Sequence, residues 1–132
     1  MTVEEHASLA ALWRLKKHNC CQGVLLGLAD QTGLDEAQLC ALGSGFAGGI
    51  GGTLDGTCGA LIGAVMAAGL RRNGEKTMPD ARAVTQKFRE RCGALSCRDI
   101  KGVDTGTVLC PCEECVKNAV RAYCEVVGLE DA

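Results

Sequence analysis

The sequence predicts an all-α fold, a compact single-domain bundle of about five helices with a glycine-rich loop and a cysteine-bearing loop. Apolar residues recur at helical spacing over most of the chain, which favours helices. β-Branched residues are sparse, and only the short stretch TGTVLC alternates in the way that a strand does. A chain of 132 residues is long enough for one hydrophobic core, so we expect a single domain over residues 1–132.

The N-terminal part of the chain predicts helices with one apolar face. Leu9 and Trp13 lie at helical spacing, and a similar spacing resumes up to Leu28 before Gly33 ends the pattern. The stretch GLDEAQLCALG predicts a short helix, because Asp35 offers an N-terminal cap and a glycine closes the segment.

The C-terminal part predicts further helices separated by irregular loops at residues 43–57 and 95–111. CGALIGAVMAAGL predicts one helix, and MPDARAVTQKFRERCG predicts the next, with Pro79 in its first turn and Gly93 at its end. SCRDIKG allows one or two turns capped by Ser96, and CEECVKNAVRAYCEVVG predicts a C-terminal helix with a continuous apolar stripe.

Charge and composition argue against several classes of function. The net charge is −2, with basic and acidic residues mixed along the chain, so no nucleic acid or anionic membrane surface is implied as a partner. Residues 45–70 are long enough for a membrane span, but Asp55 divides them and their glycines weaken a helix. The chain opens without the pattern of a secretory leader, so we expect its ten cysteines in a reducing cytoplasm, where metal binding or redox chemistry is favoured.

The stretch GSGFAGGIGGTLDGTCGA contains eight glycines, and we call residues 43–57 the glycine loop. Its first six residues spell the dinucleotide fingerprint G-x-G-x-x-G, but a helical segment precedes them and no βαβ unit follows, so the match is fortuitous. Glycines leave backbone N–H groups unobstructed and allow positive φ, so this loop can curl its amides around an anion. The candidate donors are the amides of Gly48, Gly49, Gly51 and Gly52.

Several cysteines are placed where a thiolate is favoured. Four of them lie at or near predicted helix N-termini: Cys58, Cys97, Cys112 and Cys115. The positive end of the helix dipole favours the thiolate there. Cys20 and Cys21 lie where one long N-terminal helix would present one of the two sulfurs inward. Thiolate ligands with converging amides are what an iron–sulfur cluster requires.

The remaining cysteines and motifs favour other interpretations. Cys40 and Cys124 lie among apolar residues and are expected to pack in the core. Cys92 is a weak candidate, because the C-terminal end of its helix opposes a thiolate. The motif CEEC lacks the βαβ context of a thioredoxin, and zinc would normally show a second short pair of cysteines or histidines.

Four stretches, NCCQGVL, GFAGGIGG…TCGALIGAVMAAGL, CGALSCRDIKG and CEECVKNAV, resemble the C_GCAxxG_C_C family of redox-active proteins over roughly residues 19–120. That family is small, helical and found largely in anaerobic bacteria and archaea, and a related domain of split-Soret cytochromes is associated with an iron–sulfur centre. The resemblance implies that the family's first three cysteines fall on Cys20, Cys58 and Cys97. The fourth falls on Cys112 or Cys115, which lie one turn apart.

The sequence therefore predicts an iron–sulfur protein whose cluster, of unspecified type, is held by Cys20, Cys58, Cys97 and either Cys112 or Cys115. Its expected role is one-electron transfer with a redox partner protein. Two alternatives stay open: a metal-free thiol–disulfide protein that uses Cys20 and Cys21 or the Cys110–Cys115 stretch, and a zinc-binding structural protein. A homodimer is compatible with the few aromatic residues, since a small core gains from further burial.

Overall fold

The computed structural model describes residues 1–129, which form eight helices and no β-strand. The helices are α1 (Val3–Leu15), α2 (Cys20–Gly27), α3 (Ala29–Thr32), α4 (Glu36–Gly43), α5 (Gly59–Arg71), α6 (Thr77–Cys92), α7 (Cys97–Lys101) and α8 (Cys112–Val127). The predicted all-α class is confirmed, and the helices outnumber the five that were expected because several are only one or two turns long. None of the helices in these residues has both the length and the apolar content that crossing a bilayer requires.

The N-terminal part of the chain forms two helices where one long helix was predicted. Lys17 has a φ of 70°, which ends the helical path after α1. Asn19 then caps α2: its side-chain oxygen accepts a hydrogen bond from the Gln22 amide at 2.8 Å, and the Gln22 side chain accepts one from the Asn19 amide at 2.9 Å. The prediction of a continuous helix through Cys20 and Cys21 is therefore wrong, and Cys20 lies at a helix N-terminus instead.

Helix α5 lies at the centre of the bundle, in contact with α2, α6 and α8, while α1 packs against α2 and α8. Small residues allow the close approaches. A Cβ atom on Gly27 would lie 2.5 Å from Cβ of Ala10, and one on Gly63 would lie 2.9 Å from the carbonyl oxygen of Cys21. Short distances between helices thus provide burial that the few aromatic side chains cannot.

The glycine loop is tied to the segment that carries α7. The Cys58 amide donates to the carbonyl oxygen of Leu95 at 2.8 Å, and the Cys97 amide donates to that of Gly56 at 3.0 Å. A bridge of antiparallel type between Thr57 and Ser96 accompanies these bonds. The two loops predicted from the sequence therefore form one hydrogen-bonded unit, which brings the start of α5 next to the start of α7.

Candidate metal centre

The three cysteines that the resemblance assigns, and Cys112 as one of its two alternatives for the fourth, each stand at the beginning of a helix. Cys20, Cys97 and Cys112 are the first residues of α2, α7 and α8, and Cys58 is the N-terminal cap of α5. All four line one cavity of about 100 Å³, which we call the cysteine cavity and which Cys110 and Cys115 also border. Residues that are far apart in the sequence thus converge on one chamber rich in sulfur.

The structure distinguishes the two adjacent cysteines near the N-terminus. Cys20 lines the cysteine cavity, whereas Cys21 is fully buried in an apolar cluster with Leu25 and Leu39. Burial raises the pKa of the Cys21 thiol to about 12, so this sulfur stays protonated at neutral pH. Only one of the pair is therefore placed to act as a ligand at the cavity.

Two glycines let the backbone approach these sulfurs closely. A Cβ atom on Gly59 would lie 2.7 Å from Sγ of Cys20, which is far inside van der Waals contact. A Cβ atom on Gly49 would lie 2.8 Å from Cβ of Cys97, and Gly49 also has a φ of 71°. Both positions therefore require glycine for the space beside a cavity cysteine.

The glycine loop contributes to the cavity less broadly than the sequence suggested. Gly48 lines the cavity. The amides of Gly51 and Gly52 instead donate, at 2.9 Å each, to the carbonyl oxygens of Gly45 and Ala47 within the loop. Because those two N–H groups are engaged there, the structure does not bring them to the cavity, and their role is to hold the loop in shape.

Cys58 is the cavity cysteine that most favours the thiolate. The neighbouring thiols of Cys115 and Cys20 lower the pKa of Cys58, and the amides of Ala60 and Leu61 in the first turn of α5 act in the same direction. These effects outweigh the burial of the side chain, which by itself raises a thiol pKa. Conversely, the nearby sulfur of Cys58 raises the pKa of Cys115, so Cys58 is the more readily deprotonated of these two thiols.

Two cations lie at the same cavity. Arg14 and Lys101 both line it, and Nε of Arg14 is buried without a hydrogen-bond partner among residues 1–129. Leaving such a donor unpaired is costly, so its position is consistent with an anionic occupant. The adjacent Cys20 sulfur raises the pKa of Cys112, and the Arg14 guanidinium acts against that rise.

A second group of sulfurs adjoins the cavity. Sγ atoms of Cys92, Cys110 and Cys115 all lie within 4.8 Å of one another, all three residues are buried, and we call this group the thiol triad. The side-chain amide of Asn118 donates to Sγ of Cys92 at 3.7 Å and to Sγ of Cys110 at 3.8 Å. The Cys115 thiol donates to the carbonyl oxygen of Cys110 at 3.5 Å. Three buried sulfurs at this spacing could hold a metal ion.

Sequence reasoning missed most of the thiol triad. The helix dipole makes Cys92 a weak candidate, and Cys110 enters the sequence-based alternatives only together with Cys115, because nothing local joins Cys92 to either of them. One signal was available in α8, where Asn118 interrupts the apolar stripe one turn after Cys115. A buried amide among apolar residues requires a polar partner, and here the partners are sulfur atoms.

Comparison with known proteins gives one family. The family model described as "Putative redox-active protein (C_GCAxxG_C_C)" matches residues 18–126, which include all the cavity cysteines and the thiol triad. Searches of curated proteins and of solved structures found no match.

Proposed function

Because the chain belongs to the C_GCAxxG_C_C family of redox-active proteins, we propose that it is an iron–sulfur protein whose cluster is held by Cys20, Cys58, Cys97 and Cys112. The observation that carries this proposal is the convergence of these four cysteines on one cavity from four helix starts. When bound there, an iron–sulfur cluster would supply one-electron transfer.

The spacing of the sulfurs supports a polynuclear group in the cysteine cavity. A single ion needs all its ligand atoms close together, and among residues 1–129 only the thiol triad meets that condition. The four cavity cysteines are instead spread around a chamber of about 100 Å³. A cluster of several irons suits this arrangement, because each thiolate binds a different iron atom.

The charges around the cavity support an anionic occupant. Four thiolates bring more negative charge than the positive iron–sulfide core of a cluster neutralises, so a buried cluster gains from nearby cations and N–H donors. Arg14 and Lys101 supply positive charge, and the Arg14 guanidinium interacts with the Cys112 sulfur.

Cys112 is the better candidate for the fourth ligand. Its sulfur lies beside Cys20 at the cavity and is only half-buried, whereas the Cys115 thiol is engaged with the thiol triad. A half-buried ligand also offers a short route for an electron to the surface, where a redox partner protein would dock. We place this exchange in the reducing cytoplasm, which suits the ten free cysteines.

The direct test is to purify the protein anaerobically and to measure its iron, its acid-labile sulfide and its visible and EPR spectra. We expect stoichiometric iron and sulfide in the wild type and their loss in Cys58→Ser and Cys97→Ser. Cys40→Ser and Cys124→Ser are matched controls outside the cavity and should keep both. A colourless, iron-free wild type with full helical content would exclude the proposal.

The lowered pKa of Cys58 favours one other candidate, a metal-free thiol–disulfide protein. In that chemistry the Cys58 thiolate attacks a disulfide of a partner protein, and the Cys20 thiol resolves the mixed disulfide, so the partner is reduced as Cys20 and Cys58 become oxidised to a disulfide. Iron-free protein that reduces a model disulfide, and loses this activity in Cys58→Ser but not in Cys40→Ser, would favour this candidate.

A further inference from the structure

We propose that Cys92, Cys110 and Cys115 form a second metal site, one that holds a single soft d¹⁰ cation, Zn²⁺ or Cu⁺, next to the cysteine cavity. This site is separate from the one proposed above: Cys92 does not line the cavity, while Cys110 and Cys115 lie at the wall between the two sites. The proposal does not depend on the presence of iron in the cavity.

The distances within the thiol triad suit one ion. Zinc–sulfur bonds are about 2.3 Å long, which places the sulfurs of a tetrahedral site about 3.8 Å apart. The three Sγ atoms already lie within 4.8 Å of one another, so a contraction of about 1 Å or less would complete the coordination. Such a movement is within the reach of side-chain torsions, particularly for Cys110, which lies in the loop before α8.

The donors around the triad suit metal-bound thiolates better than thiols. Both hydrogen bonds that the Asn118 amide donates, at 3.7 and 3.8 Å, end on sulfur, which is a weak acceptor as a thiol and a stronger one as a thiolate. The orientation of that amide is set on its other side, because Nη1 of Arg121 donates to Oδ1 of Asn118 at 3.0 Å. Arg121 is in turn held by both carboxylate oxygens of Glu4, at 2.7 and 2.9 Å. The ion pair of Glu4 with Arg121 thus fixes the orientation in which the Asn118 amide directs its N–H groups at the two sulfurs.

The ligand set determines the class of ion. Three sulfurs without oxygen or nitrogen ligands select soft cations over Mg²⁺, Ca²⁺ or Mn²⁺. Among the residues that the structure describes, no fourth His, Cys, Asp or Glu atom lies within 4.8 Å of all three sulfurs. Cu⁺ would be satisfied by three thiolates, and Zn²⁺ would add a water molecule or the Cys110 carbonyl oxygen. Binding releases the thiol protons to solvent and changes no oxidation state.

The test uses Cys20→Ser/Cys97→Ser, which removes two cavity ligands and leaves the triad intact. Reduced, anaerobic protein is titrated with Zn²⁺ and, separately, with Cu⁺, against a chelator of known affinity. We expect one tight equivalent of at least one of the two ions, with thiolate-to-metal absorption in the ultraviolet. Adding Cys92→Ser or Cys110→Ser should abolish that equivalent, and adding Cys124→Ser should not.

The outcomes separate this site from the iron–sulfur proposal. Iron-free wild type together with a tight equivalent in the double variant would exclude the cluster and support the triad. Binding that persists in both added variants, or no tight binding of either ion, would overturn the triad. If added Cys92→Ser does not fold, the loop variant Cys110→Ser and protection of Cys92 and Cys115 from alkylation by the bound ion decide the question.

Asn118 is a positioning residue in this proposal, and Asn118→Ala tests that role. Loss of a donor to ligand sulfurs typically weakens metal affinity by about 10- to 100-fold. It should also shift the energy of the thiolate-to-metal absorption, which a merely structural role would leave in place. Unchanged affinity and an unchanged band in Asn118→Ala would exclude a role for this amide.

Discussion

At the scale of single residues, glycine serves two different physical purposes in this chain. Gly49 has a positive φ, so both its backbone conformation and the nearby Cys97 side chain exclude a larger residue. Gly59 lies in a helix with ordinary dihedral angles, and there only space is decisive, because Phe46 and Cys20 approach its α-carbon. A count of glycines cannot separate these two causes.

Substitution of Gly59 by alanine should damage the site more than the helix. The added methyl group would lie 2.5 Å from the Phe46 carbonyl oxygen and 2.7 Å from Sγ of Cys20. We expect the free energy of unfolding to fall by about 1–3 kcal/mol through overpacking, together with a loss of iron per chain. Denaturant unfolding and iron analysis measure both effects.

Gly69→Ala is the matched control, since it lies in the same helix with its nearest neighbouring atom, Cγ2 of Thr77, at 3.6 Å. It should stabilise the protein by about 0.4–1 kcal/mol and keep the iron. Full iron content in Gly59→Ala would contradict the proposed contact with a ligand sulfur.

The adjacent cysteines Cys20 and Cys21 give a second prediction at this scale. Cys20→Ser should lose iron, because its sulfur lines the cavity. Cys21→Ser should keep iron but lower the free energy of unfolding by about 1–3 kcal/mol, because it buries a hydroxyl group in an apolar cluster. The measurements are the iron content and the unfolding midpoint of each variant. Equal iron loss in the two variants would contradict the different roles of Cys20 and Cys21.

At the scale of elements, the cavity is built from helix beginnings. The N-termini of α2, α5, α7 and α8 meet there, so the positive ends of several helices are near the same group of cysteine sulfurs. Short helices serve this arrangement well, because each adds an N-terminus without adding length. The short helices α2 and α7 each contribute a first residue to the cavity.

The cap of α2 should influence both stability and metal retention. Asn19→Ala removes the hydrogen bond from the Gln22 amide and the one donated to the Gly43 carbonyl oxygen at 3.0 Å. We expect a loss of about 0.5–2 kcal/mol in the free energy of unfolding. Because Asn19 also borders the cavity, iron should transfer faster to a chelator.

Asp35→Ala is the matched control, since Asp35 forms the same kind of capping box with Gln38 at the start of α4, away from the cavity. It should cost a similar free energy of unfolding without changing the rate of iron release. Equal rates in the two variants would show that the cap acts on stability alone.

At the scale of the whole molecule, the bundle and the proposed metal centre depend on different interactions. The core holds fully buried Tyr123, Phe88 and Val84, which lie on α6 and α8 away from the cavity. These apolar contacts stabilise the bundle without any metal. The cavity cysteines come from segments as far apart as Cys20 and Cys112, so a bound group would link distant parts of the chain.

Removal of the metal should therefore lower the thermal midpoint while the helical content persists. A group that binds only the folded state stabilises it by mass action, and its removal withdraws that contribution. We expect the same far-ultraviolet circular dichroism for iron-loaded and iron-free protein at low temperature, with a lower Tm for the latter. Cys97→Ser, which should hold no iron, should have the same Tm before and after treatment with an iron chelator. Loss of helical content when iron is removed from the wild type would contradict a core that is stable without the metal.

Most of the fold class and part of the site could be predicted because their signals are local. Gly93, Ser96 and Pro111 mark helix ends and starts by their own conformational preferences, which placed Cys97 and Cys112 correctly at helix beginnings. The break between α1 and α2 was missed, since it depends on a capping box that competes with a strong apolar periodicity.

The sequence by itself determined that the protein is helical, that its cysteines are concentrated at helix starts, and that glycine makes close backbone approach feasible. Only the tertiary structure decided that Cys20 faces the cavity while Cys21 faces the core, and that Cys92 joins Cys110 and Cys115 around the amide of Asn118. The physical reason is range: caps and periodicity act within a few residues, whereas the contact of α6 with α8 arises from the packing of the whole chain.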